Sequence, residues 1–92
     1  MNSPAVKIFK LSLGTHAHQH LAAPFIVEVL DIQLQQGKPV LWAKVWADSA
    51  IRKYVILCKQ TGDDVVGDTS YLGTVQLPDD TVLHYFGGGP GL

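Results

Sequence analysis

Several groups of residues in this 92-residue chain have types and spacings that bear on chemistry. His16, His18 and His20 occupy alternate positions, so an extended backbone sets three imidazoles on one face. Neutral imidazoles bind Zn²⁺ and related metals, and His84 offers a fourth ligand. Strand residues two apart stand about 6–7 Å apart, however, which rarely lets three close on one ion. An exposed polar edge is the plainer expectation for this run. Asp63, Asp64 and Asp68, with Asp79 and Asp80, carry the carboxylates that metal binding or hydrolysis would need. Asp beside Gly or Pro is also what tight turns require, and that reading is favoured.

No nucleophile stands out. A Gly-x-Ser-x-Gly elbow is absent, and Cys58 sits within an apolar run as a buried structural thiol would. Gly87-Gly-Gly-Pro-Gly91 lacks the following lysine and helix of a phosphate loop.

Trp42, Lys44 and Trp46 are the better lead. Two indoles flanking an ammonium at alternate positions make a surface that stacks planar rings or docks a partner. Arg52, Lys53 and Lys59 on the next run supply charge for a phosphate. Large indoles are also natural core residues, with the lysine snorkelling at the rim, and their bulk favours a core position.

These side chains need a scaffold, and the patterning predicts one made of strands. Val6–Leu13 alternates, with Phe9, Leu11 and Leu13 opposite Ile8, Lys10 and Ser12. Thr15–Ala23 is ambiguous between strand and loop. Ile26–Gln35 places Leu30, Ile32 and Leu34 opposite Asp31, Gln33 and Gln35. A Gly-containing turn follows, and the run returns through Trp46, which together make a hairpin signal. Ala47–Ala50 reads as a bend or a single helical turn. Ile51–Gln60 puts Tyr54, Ile56 and Cys58 on one side. Thr61–Ser70 is the longest polar connection, and Tyr71–Leu77 and Thr81–Phe86 close the set. No helix of ten residues or more is predicted. Residues 1–86 therefore read as one all-β domain, a small antiparallel β-sandwich or barrel of five to seven strands. Residues 87–92 read as a flexible Gly-rich tail, and Met1–Ala5 as a short leader.

Composition narrows the function. Charged residues are 16% of the chain, against about 25% on average, while hydrophobic residues are 47%. So little charge leaves apolar surface for a second copy or a partner to cover, and a homo-oligomer is expected. The net charge of −1 makes nucleic-acid binding unlikely, since counterion release needs a basic excess. One cysteine, no signal-peptide pattern and no apolar run long enough for a membrane span point to the cytoplasm.

Leu41-Trp42-Ala43 after a Gly turn, Thr61-Gly62-Asp63-Asp64, Tyr71-Leu72-Gly73-Thr74 and Leu83-His84-Tyr85-Phe86 stand in an order and spacing that cover most of the chain. On these pieces, Lys7–Phe86 resembles a family of small phage-encoded proteins, a domain of unknown function. Asp63 stands where that family usually continues Thr-Gly-His, and the His16–His20 run is not typical of it. The resemblance implies a phage or prophage origin and a compact β fold, and it brings no catalytic residues.

The expected function is a non-enzymatic, phage-encoded binding protein without a cofactor, acting in counter-defence. It would inhibit a host protein or sequester a nucleotide-like signal. The candidate binding residues are Trp42, Lys44, Trp46, Arg52, Lys53, Asp63 and Asp64. An accessory virion component is the alternative, and a hydrolase using His16, His18 and His20 a lesser one.

Overall fold

In the computed structural model the described residues form a seven-stranded antiparallel β-sandwich. The structure describes residues 5–67, 69–89 and 91–92. The leader residues Met1–Pro4, the candidate carboxylate Asp68 and Pro90 of the tail lie outside them. The strands are β1 (Val6–Ser12), β2 (His18–Ala23), β3 (Phe25–Gln35), β4 (Lys38–Trp46), β5 (Arg52–Gln60), β6 (Ser70–Gln76) and β7 (Val82–Gly87). Sheet A has the order β1-β4-β3 and sheet B the order β2-β5-β7-β6.

β3 and β4 form the expected hairpin. Gln35 pairs with Lys38 across Gln36 and Gly37, whose φ values of 51° and 77° are the two left-handed conformations that a type I′ turn needs.

Each sheet turns one parity of residues inward. β4 contributes Leu41, Ala43 and Val45, all at 0% exposure, and β5 contributes Tyr54, Ile56 and Cys58. Leu83 and Tyr85 come from β7, and Ile26 and Ile32 from β3, to the same core cluster. Apart from the Tyr54 and Tyr85 phenols and the Cys58 thiol, no polar or charged side chain is buried among the described residues. Two phenols tie the layers together. The Ile26 amide donates to the Tyr54 hydroxyl at 2.9 Å, and the Tyr85 hydroxyl donates to the Gly14 carbonyl at 2.9 Å.

β3 departs from simple alternation. Its core residues Ile26, Val29 and Ile32 are three apart, and β-bulges between Ile26 and Glu28 and between Val29 and Asp31 absorb the extra residue each time. Leu30, expected beside Ile32 on the core face, is instead 42% exposed. A second irregularity lies in β6, between Tyr71 and Gly73.

The glycine-rich end, expected to be a flexible tail, continues the fold. Gly87 belongs to β7, the Gly88 amide donates to the Val55 carbonyl, and Leu92 packs against the core. Gly91, at φ 93°, lies so close to Tyr54 that a Cβ would stand 2.9 Å from Cε1 of its ring.

Burial pushes the Cys58 thiol above its ordinary value of 9.0 and the Tyr85 hydroxyl above 10.0, and each lies beside the other. Both groups hold their protons more tightly when folded than when unfolded. The stability they add is therefore whole below about pH 9 and is lost as the pH climbs through the folded values. The melting temperature should fall steadily above pH 9, and less steeply in Tyr85→Phe. Identical alkaline profiles for the two proteins would contradict this.

Candidate functional site

The structure separates the residues that the sequence grouped. Trp42, Lys44 and Trp46 do not fill the core, although their bulk favours it. They lie on the outer face of sheet A, because Leu41, Ala43 and Val45 take the inward parity of β4. Trp42 and Lys44 are half-buried, and Trp46 is 40% exposed.

Pairing defines three rows across this outer face. Val6, Trp46 and Phe25 form the first; Ile8, Lys44 and Glu28 the second; Lys10, Trp42 and Asp31 the third. The third row is roofed by polar side chains. Lys10 Nζ donates to Gln35 Oε1 at 3.2 Å, and Gln33 Nε2 donates to Asp31 Oδ2 at 3.0 Å. Lys44 is engaged as well, with Nζ 3.4 Å from Glu28 Oε1. An exposed pair of this kind adds little stability, but it occupies the ammonium that was to flank the indoles.

The first row stays apolar and open. The Phe25 ring stacks on Trp46 at 4.9 Å between centroids, and the Arg52 guanidinium lies 4.7 Å above Phe25. Ser49 fixes this end: its hydroxyl accepts from the Phe25 amide at 2.7 Å and donates to the Trp46 carbonyl at 2.7 Å. Val6 at 48%, Ile8 at 65% and Val27 at 44% exposure surround the stack. Phe25 was missed in the sequence because only the register sets it opposite Trp46.

The other candidates lie elsewhere. Lys53 has the outward parity of β5 in sheet B, opposite to that of Arg52. Asp63 and Asp64 follow the far end of β5, eight residues or about 26 Å along the strand from Arg52. Asp63 Oδ2 accepts from the Gln60 amide, and Asp79 Oδ1 accepts from the Thr81 amide. That second bond holds the exposed Asp79 carboxyl below its ordinary value. These carboxylates close turns.

β2 begins at His18, so the three histidines do not share a strand. His16 lies in the preceding bend, where Gln19 bonds both the amide and the carbonyl of Gly14. The His18 and His20 rings meet edge to face at 5.5 Å. β5 separates them from His84 on β7. Among the described residues no group of three or more His, Cys, Asp or Glu side chains is placed to hold a metal ion.

A second arrangement emerges on the outer face of sheet B. His84 Nε2 lies 2.9 Å from Thr61 Oγ1, and Nδ1 lies 3.0 Å from Thr74 Oγ1, which lies 2.6 Å from the Tyr71 hydroxyl. The β6 irregularity turns Leu72 and Gly73 inward together, so Tyr71 and Thr74, three apart, share the outer face. Thr61-Gly62, Tyr71-x-Gly73-Thr74 and His84 therefore converge in one hydrogen-bond chain. Beside Thr61 an open recess of about 310 Å³ is lined by Gln60, Asp80, Thr81 and Val82.

The Trp42 indole offers a test of its outward position. Its Nε1 is buried and has no hydrogen-bond partner among the described residues. Removing an unsatisfied donor offsets much of the lost packing. Trp42→Phe should therefore keep its stability to within about 1 kcal/mol by urea denaturation, whereas a core indole would cost several.

No curated protein matches the chain, and no solved structure does. Among the described residues no helix is long and apolar enough to cross a membrane. Residues 5–90 match the model of the family described as Domain of unknown function (DUF7352), and the chain belongs to that family.

Proposed function

We propose that this protein is a non-enzymatic binding protein of phage origin that works as a homodimer in the host cytoplasm, where it blocks or sequesters a host defence factor. The carrying observation is the open apolar first row of sheet A. Val6, Trp46 and Phe25 stand side by side on three adjacent strands, with Ile8 next to them in the second row.

A second copy suits this face. Under a two-fold axis parallel to β4, a β1 residue of one copy meets the β3 residue of the same row in the other. Val6 then meets Phe25, Trp46 meets Trp46, and in the third row Lys10 meets Asp31. In the first row apolar residues meet apolar ones and in the third opposite charges meet, as an isologous interface requires. In the second, Ile8 meets Glu28 and Lys44 meets Lys44, each lysine already paired with the Glu28 of its own copy. The low overall charge of the chain supports the same reading, because a monomer would leave this face in water.

The test is solution mass by light scattering over a dilution series. The reading predicts twice the 10.0 kDa chain mass at high micromolar concentration, falling toward one chain on dilution. A mass of one chain at all concentrations up to the millimolar range would refute it.

A further inference from the structure

With sheet A joined to a second copy, the outer face of sheet B is the one left for a ligand, and its chemistry is distinctive. β2, β5, β6 and β7 contain no aspartate or glutamate. They carry Lys53, Lys59, His18, His20 and His84 on their outward parity, whereas Arg52 has the opposite parity and lies over Phe25. The nearest described acids, Asp63, Asp64, Asp79 and Asp80, sit in turns at one end of the sheet. A net charge of −1 thus hides an uneven distribution, and distribution decides local binding.

Aromatic rings complete the face. Pairing sets His18, Leu57, Phe86 and Tyr71 in one row across all four strands, and Lys59, His84 and Thr74 in the next. Tyr71 is 62% exposed and meets Phe86 edge to face at 5.7 Å. A tyrosine this exposed would ordinarily sample several rotamers. Here its hydroxyl is tied through Thr74 to His84 and on to Thr61, so the ring is held in place before any ligand arrives. Such preorganisation lowers the entropy cost of stacking.

We propose that the outer face of sheet B is a nucleotide-binding face, with Tyr71 and Phe86 stacking an aromatic base and Lys59 and His18 meeting the attached phosphate. The phosphate lies toward β2, across β5 from the stacked rings. A β-sheet that offers exposed rings between cations, with no acid among them, is how single-stranded nucleic acids and free nucleotides are stacked without duplex. Few cations take part, so affinity rests on stacking and depends only weakly on salt. This assignment rests on the binding-protein reading and names its ligand class.

Amide NMR titration with AMP, with a uridine hexanucleotide and with inorganic phosphate tests it. Either nucleotide ligand should shift Tyr71, Thr74, His84 and Phe86 and leave Trp46 and its neighbours unmoved. Tighter binding of the hexanucleotide identifies a single strand as the ligand, and equal binding identifies a free nucleotide. Tyr71→Ala should weaken binding at least tenfold, and Tyr71→Phe, which keeps the ring, by no more than a few fold. The assignment is overturned if neither ligand shifts these amides at millimolar concentration, if phosphate alone gives the same shifts, or if Tyr71→Ala binds as well as wild type. Repeating the titration on Trp46→Asp separates the two claims, because sheet B should still bind when the dimer is broken.

Discussion

Replacing Tyr85 by alanine is expected to remove a large part of the stability of the fold. Tyr85 is fully buried, with 0% exposure, and is the largest of the fully buried side chains. It sits on β7 between β5 and β6, with its hydroxyl reaching the Gly14 carbonyl at 2.9 Å. Truncating a buried aromatic to alanine costs about 3–5 kcal/mol through lost transfer energy and the cavity left behind. A domain of this length has a total stability of roughly 5–14 kcal/mol, so the change removes a large part of it. Tyr85→Phe separates the ring from the hydroxyl. The Gly14 carbonyl also accepts from Gln19 Nε2 at 3.0 Å, so losing the phenol does not orphan it. The expected cost is about 1 kcal/mol. Urea denaturation followed by circular dichroism measures both. A Tyr85→Ala protein that melts like wild type would mean that the core is not built around this ring.

The second large effect is expected at Gly73. This residue belongs to β6, yet it touches β3 of the other sheet. A Cβ built on it would stand 2.9 Å from Ile32 Cβ and 3.2 Å from Ile32 Cγ1. The obstacle is the root of a buried side chain, so no rotamer change relieves it. Gly73→Ala should cost about 1–3 kcal/mol, and Gly73→Val more, since overpacking forces the two sheets apart. Trimming Ile32 to valine should recover little, because its Cβ remains. The damage should also reach the outer face. Gly73 lies in the irregularity that puts Tyr71 and Thr74 on one side, so its replacement should disturb the Tyr71–Thr74–His84 chain. A Gly73→Val protein with wild-type stability would contradict the close approach of β6 to β3.

Strand parity was largely legible in the sequence. Phe9, Leu11 and Leu13, then Tyr54, Ile56 and Cys58, face the core side as simple alternation predicts. Leu30 did not follow, because alternation assumes an unbroken ladder. The spacing of Ile26, Val29 and Ile32 was the signal available, since inward residues three apart in a strand require a bulge. The indoles went astray for a different reason. Bulk suggested that Trp42 and Trp46 would fill the interior, but Tyr54 and Tyr85 of sheet B already enter that core, and β4 adds the small Ala43 beside Leu41 and Val45. Which sheet supplies the bulk depends on pairing, and pairing is not local.

The candidate site was legible only in pieces. Trp46 and Arg52 were both singled out, but Phe25, the ring between them, comes from a strand about twenty residues earlier. Thr61, Tyr71, Thr74 and His84 stood in four separate positions of the sequence. Only the β5–β7–β6 register, shifted by one at Gly73, brings their polar atoms within hydrogen-bond distance.

The proposal that the outer face of sheet A joins two copies is tested most directly by Trp46→Asp. A carboxylate placed in the first row would face its own symmetry mate, so it should break the dimer while leaving the core untouched. The measurement is light-scattering mass at high micromolar concentration, made on protein whose circular dichroism matches wild type. The account predicts a folded species of one chain mass. A Trp46→Asp protein that fails to fold would place the indole in the core after all, and a folded dimer would place the contact between copies elsewhere.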